Sequence, residues 1–128
     1  MTRFFALLLL LTGCAGTRLT PEVMTFPSEL PASSALQLAR NVLGRTGWPA
    51  SPPAGRTLTT NWHPTESGLL RLVLTAKEAR GGASTVVSVR GEQQVDGRAI
   101  GVTRGAAAWP EIEQVAGRVG SGIRYALY

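Results

Sequence analysis

Side chains able to do chemistry are sparse in this chain of 128 residues. Cys14 is its single thiol, His63 its single imidazole and Asp96 its single aspartate. A lone cysteine has no disulfide partner, and one cysteine with one histidine does not supply the ligand set that zinc needs. A general base or a triad needs an orienting group and a nucleophile within hydrogen-bond reach. His63 stands between Trp62 and Pro64 with Glu66 nearby and no serine motif directed at the pair. It reads as a histidine at a strand end. Asp96 precedes Gly97, and Asp-Gly is accounted for by the positive φ angles of a tight turn. Glu111 and Glu113 are two apart on a predicted helix and point in different directions, so they do not make the paired acids of a glycosidase. The run GRVGSG, Gly117 to Gly122, resembles a phosphate loop only in composition. It falls inside a helical repeat and not between a strand and a helix start, so close helix packing is the expected use of its glycines. No metal and no cofactor is implied, and the expectation is a protein that is not an enzyme.

Cys14 needs a different explanation, and its flanks supply one. Met1-Thr2-Arg3 is followed by an apolar run from Phe4 to Leu11 and a small-residue exit. That is the layout of a secretion signal, and it is too short for a transmembrane helix, which needs roughly 20 apolar residues. The exit Leu11-Thr12-Gly13-Cys14 resembles the lipobox of bacterial lipoproteins at all four positions. The resemblance implies cleavage between Gly13 and Cys14, a diacylglyceryl group on the Cys14 sulfur and usually an acyl chain on the new amino group. Two or three acyl chains hold a protein stably at a membrane where one does not. Ala15 follows the cysteine. The family commonly retains proteins with aspartate there in the inner membrane, so the resemblance implies the periplasmic face of the outer membrane.

The formal net charge is +5, and it falls to about +4 if Arg3 leaves with the signal. Outside the cytoplasm the anions that such a surface meets are lipid phosphates, lipopolysaccharide or an acidic protein surface, and nucleic acid is not expected. The expected organisation is a signal over 1–13, a lipidated cysteine and linker over 14–32, and one small domain over 33–128. The linker is proline-rich, although Val23, Met24 and Phe26 make it apolar enough to dock on the domain or on a partner.

Within the domain, Ser34 and Gln37 fit a capping box at the head of a helix whose apolar face carries Leu36, Ala39 and Leu43. Gly44 and Gly47 are its stop signals. Alternation then predicts strands: Leu58, Thr60 and Trp62 in the first, Leu70, Leu72, Leu74 and Ala76 in the second, Thr85, Val87 and Val89 in the third. Asp96-Gly97 predicts a type I′ hairpin leading to a short strand with Ile100 and Val102. Trp109-Pro110 opens a final helix with a stripe of Ile112, Val115, Ala116, Val119 and Ile123. The fold class expected is α+β in two layers, a three- to four-stranded antiparallel meander covered on one face by the two helices. Trp62 and Leu72 are expected beneath those helices.

With a four-residue loop at Ala79-Arg80-Gly81-Gly82, Glu78 faces Ala83 and Arg71 faces Arg90. Both arginines then lie on the sheet face away from the helices, beside Val73 and Val86. Like charges directly opposite are unfavourable unless they splay or share an anion, which marks Arg71, Arg90, Val73 and Val86 as expected partner-contact residues. The leading helix ending in Gly47-Trp48, the motif Thr60-Asn61-Trp62 and the strand from Leu69 to Ala76 resemble the helix-grip domains of BamC-like outer-membrane lipoproteins. That resemblance implies a protein-interaction or structural module accessory to an outer-membrane assembly complex. The alternative is a carrier of a lipid or other apolar ligand in a helix–sheet groove, which would need a cavity of roughly 300 Å³ or more.

Overall fold

The computed structural model describes residues 22–78 and 84–124. Its elements are β1 (Val23–Ser28), α1 (Ala32–Arg45), β2 (Thr57–Thr59), β3 (His63–Thr65), β4 (Gly68–Glu78), β5 (Thr85–Val95), β6 (Arg98–Gly101) and α2 (Trp109–Arg124). The architecture is the expected α+β pair of layers, but the antiparallel sheet has six strands. Its spine is β1-β5-β4-β2, with β3 continuing the β2 side of β4 and β6 continuing the β1 side of β5.

Alternation does what it should in the long strands. Leu70, Leu72, Leu74 and Ala76 of β4 and Thr85, Val87 and Val89 of β5 are buried on the inner face, under the helices. Leu36, Ala39 and Leu43 of α1 meet them, as does the whole stripe of α2 from Ile112 to Ile123. Burial of this apolar surface is the main force holding the layers together.

The helix ends differ from each other in how legible they are. Gly47, at φ +90°, terminates α1, with the Trp48 amide donating to the Leu43 carbonyl at 2.8 Å and the Gly47 amide to Gly44 at 3.3 Å. This is a Schellman closure, and it tucks Trp48 into the core. The start is not the expected one. Pro31, extended at ψ 156°, is the N-cap, no side chain caps the helix, and Ser34 lies inside the first turn. Starting the helix at Ala32 places Ala32 as well as Ala35 in the core.

The expected linker boundary at 32 also shifts. Val23–Ser28 is strand β1, paired with β5 from Val23–Arg90 to Ser28–Thr85. Met24 and Phe26 turn inward onto the core. Pro27 lacks an amide donor and is tolerated because β1 is an edge strand. Asp96 at φ 51° and Gly97 at φ 78° form the expected turn between β5 and β6. Residues 79–83, where a hairpin loop is expected, and the expected signal and lipobox, Gly13 and Cys14 included, lie outside the described residues.

Candidate functional site

Among the described residues no helix lies on the outer face of the sheet, and this face gathers an organised polar cluster. Arg71 of β4 stands opposite Glu92 of β5, and Arg90 stands opposite Val73. The expected Arg71–Arg90 pairing is therefore corrected. Glu78 faces Thr85, not Ala83, so the connection is two residues longer than a four-residue loop. A slip of two preserves which side chains share a face while changing every cross-strand pair. Thr85 helps hold this register, because its buried hydroxyl donates to the Leu30 carbonyl at 2.7 Å.

Glu92 is the residue that sequence reasoning missed. Arg71 Nε donates to Glu92 Oε1 at 2.8 Å, and Arg90 Nη2 approaches Glu92 Oε2 at 3.8 Å. One carboxylate thus relieves the repulsion between two guanidiniums on neighbouring strands. Its side chain is 15% exposed, against 29% for Arg71 and 39% for Arg90. The Arg71 guanidinium also sits 4.3 Å from the ring centroid of Trp62, a cation–π contact. Val73 is almost wholly shielded on this face, whereas Val86 is 37% exposed, as is the shared-face neighbour Val23 at 48%.

Trp62 reaches this cluster because β2 and β3 are not one strand. Thr59 faces Val73 and His63 faces Leu70, so four steps on one side match three on β4. The extra residue works as a bulge and inverts the alternation beyond it. Thr60 remains inside, its amide donating to Leu72 O at 3.0 Å and its hydroxyl accepting from Leu72 N at 2.9 Å. Trp62 is consequently half-buried on the outer face, not beneath the helices, while His63 stacks on Trp48 with ring centroids 4.3 Å apart.

The other candidates resolve as follows. GRVGSG lies wholly within α2; Gly120 takes the ring of Phe26 and Gly122 takes Val42 of α1. Gly91 of β5 admits Ile112. These contacts seat α2 directly on the sheet and against α1. Grooves of about 350 Å³ beside Trp48 and Val115 and about 550 Å³ beside Arg40 and Pro49 do exist, but both are open at the surface, the first between the end of α1 and the first turns of α2 and the second along the end of α1. Among the described residues no three His, Cys, Asp or Glu side chains gather as a metal site, and every buried side-chain nitrogen and oxygen has a hydrogen-bond partner. No helix there is long and apolar enough to cross a membrane. No protein-family model matches the chain, and no curated protein matches it.

Proposed function

We propose that this chain is an envelope lipoprotein, anchored through a lipidated Cys14 at the periplasmic face of the outer membrane, whose domain is a non-catalytic protein-interaction module. The observation that carries the reading is the contrast between the two sheet faces. The inner face is covered by both helices, with α2 seated without slack on the sheet at Gly91 and Gly120 and on α1 at Gly122. The outer face is left open, with Arg71 pre-positioned between Trp62 and Glu92 and with Val23 and Val86 exposed. Aromatic and arginine side chains held in place before binding are what interaction hot spots are made of. The close helix seating also speaks against the carrier alternative, which needs an internal cavity. The resemblance of Gly47-Trp48 and Thr60-Asn61-Trp62 to helix-grip lipoprotein domains agrees with an accessory role in an outer-membrane assembly.

The test is a photo-crosslinking residue placed in cells at Val86 or Thr75 on the outer face, with Gln114 on α2 as the comparison. A discrete adduct with an envelope protein from 86 or 75, and none from 114, is the expected result. Adducts absent from both sheet positions, or a lipid carried through native mass spectrometry of the purified domain, would reject the interaction reading.

A further inference from the structure

We infer that the tip of the β5–β6 hairpin is a second membrane contact, lying in the head-group layer of a phospholipid bilayer beside the acyl anchor. The inference rests on the Cys14 anchor proposed above and adds to it a surface of the folded domain. Val95 is 40% exposed and Ile100 48%, and Arg98 beside them is exposed as well. The register pairs Val95 with Arg98 and Gln93 with Ile100, which sets Val95, Arg98 and Ile100 on one face of the hairpin. It is the face that carries the helices farther along the sheet, yet at the tip these apolar side chains stay open. The Asp96-Gly97 turn holds the tip in a fixed shape, so little ordering is needed for it to meet a surface.

What covers the tip follows from where the chain leaves the fold. β1 occupies one edge of β5 from Thr85 to Arg90, and β6 continues the same edge from Glu92 to Val95. Read from Ser28 back to Val23, β1 therefore advances towards the hairpin tip. Glu22 is fastened at the junction, its amide donating to Val102 O at 3.2 Å and its carboxylate paired with Arg104 at 2.7 Å. Only residues 15–21 separate Glu22 from Cys14. Even fully extended, that connection spans at most about 28 Å. The hairpin projects about 17 Å from Gly91 to its tip in the same direction. An exit along β1 thus points the tip at the anchored surface and keeps Val95 and Ile100 within about 11 Å of it even with the tether fully extended. Arg98 suits that position, since its stem can lie along apolar surface while its head meets anionic phosphates.

The experiment uses the full lipidated chain reconstituted in vesicles of phosphatidylethanolamine and phosphatidylglycerol. With the Cys14 sulfur consumed by its lipid, a cysteine introduced by Ile100→Cys or Val95→Cys is the sole free thiol and takes a nitroxide label. Val86→Cys, at the far end of β5, is the control. Power saturation with oxygen and an aqueous nickel chelate should read labels at 95 and 100 about 5–10 Å below the phosphates, the depth of interfacial amphipathic elements, and the label at 86 in water. Protein that floats with the vesicles while labels at 95 and 100 are as hydrated as at 86 overturns this inference alone. Spin–spin broadening that rises with protein density at hydrated 95 and 100 assigns the tip to a second copy and overturns it too. Protein that fails to float overturns the anchor and the inference together.

Discussion

Gly91 of β5 and Ile112 of α2 are packed so closely that a Cβ on the glycine would stand 2.7 Å from Ile112 Cδ1 and Cγ2. The helix can approach the sheet here only because one strand position has no side chain. Gly91→Ala is therefore expected to cost about 1–3 kcal/mol, the usual effect of overpacking a filled core. Gly120→Ala, which meets the Phe26 ring, should behave similarly. Gly117→Ala meets nothing within 4 Å and should instead stabilise by about 0.5–1 kcal/mol, the helix-interior penalty of glycine. Urea unfolding of the three variants checks the contrast. Equal effects at all three would mean that the helices have room to move.

Leu72 is fully buried on the inner face, so Leu72→Ala should cost about 2–5 kcal/mol. A loss below roughly 0.5 kcal/mol, the range of surface changes, would place Leu72 outside the core. Its amide depends on the Thr60 hydroxyl. Thr60→Val keeps the shape but orphans that buried donor, with an expected cost of about 1–3 kcal/mol. Thr60→Ser should retain most of the stability. Equal losses for Val and Ser in thermal or denaturant unfolding would argue that the methyl group, not the hydrogen bond, matters.

Arg71 and Arg90 should respond differently to charge reversal, because only Arg71 has a close bond to Glu92. Arg71→Glu sets two carboxylates together and should destabilise by about 1–2 kcal/mol. Arg90→Glu should cost about 0–1 kcal/mol and fade in 1 M salt, where screening acts within about 3 Å. Arg90→Glu is thus the cleaner probe of partner contact, with the fold intact. Denaturant unfolding at low and high salt tests the split, and identical losses for both variants would contradict the register described here.

If Cys14 is lipidated as proposed, Cys14→Ser is expected to abolish lipidation and leave the precursor uncut or miscut, because the proposed modification acts through the thiol. Mass spectrometry of the mature N-terminal peptide reads this directly. An unmodified Cys14 in the mature native protein would sink the anchor.

Local chemistry was legible in the sequence by itself wherever one residue type decides one conformation or one face. The Asp96-Gly97 turn, the Gly47 helix stop, the inward leucines of β4 and the stripe of α2 all belong to this class, since sterics and hydrophobic periodicity act over a few neighbouring residues. The α+β layering follows from them, because an apolar sheet face must be covered by the two amphipathic helices. Pairing across the sheet was decided only by the tertiary structure. A loop longer by two residues gives Arg71 to Glu92 instead of Arg90, and a single extra residue after Thr59 sends Trp62 to the outer face and His63 onto Trp48. Neither shift leaves a mark on local alternation. β1 was hidden for a related reason: Pro27 reads as a linker residue, and only an edge position beside β5 makes it compatible with a strand. The candidate surface is built from such pairings, so its members were partly readable and its geometry was not. Register is a sum of many weak cross-strand terms, settled by contacts such as Thr85 to Leu30 that join residues 55 apart in the chain.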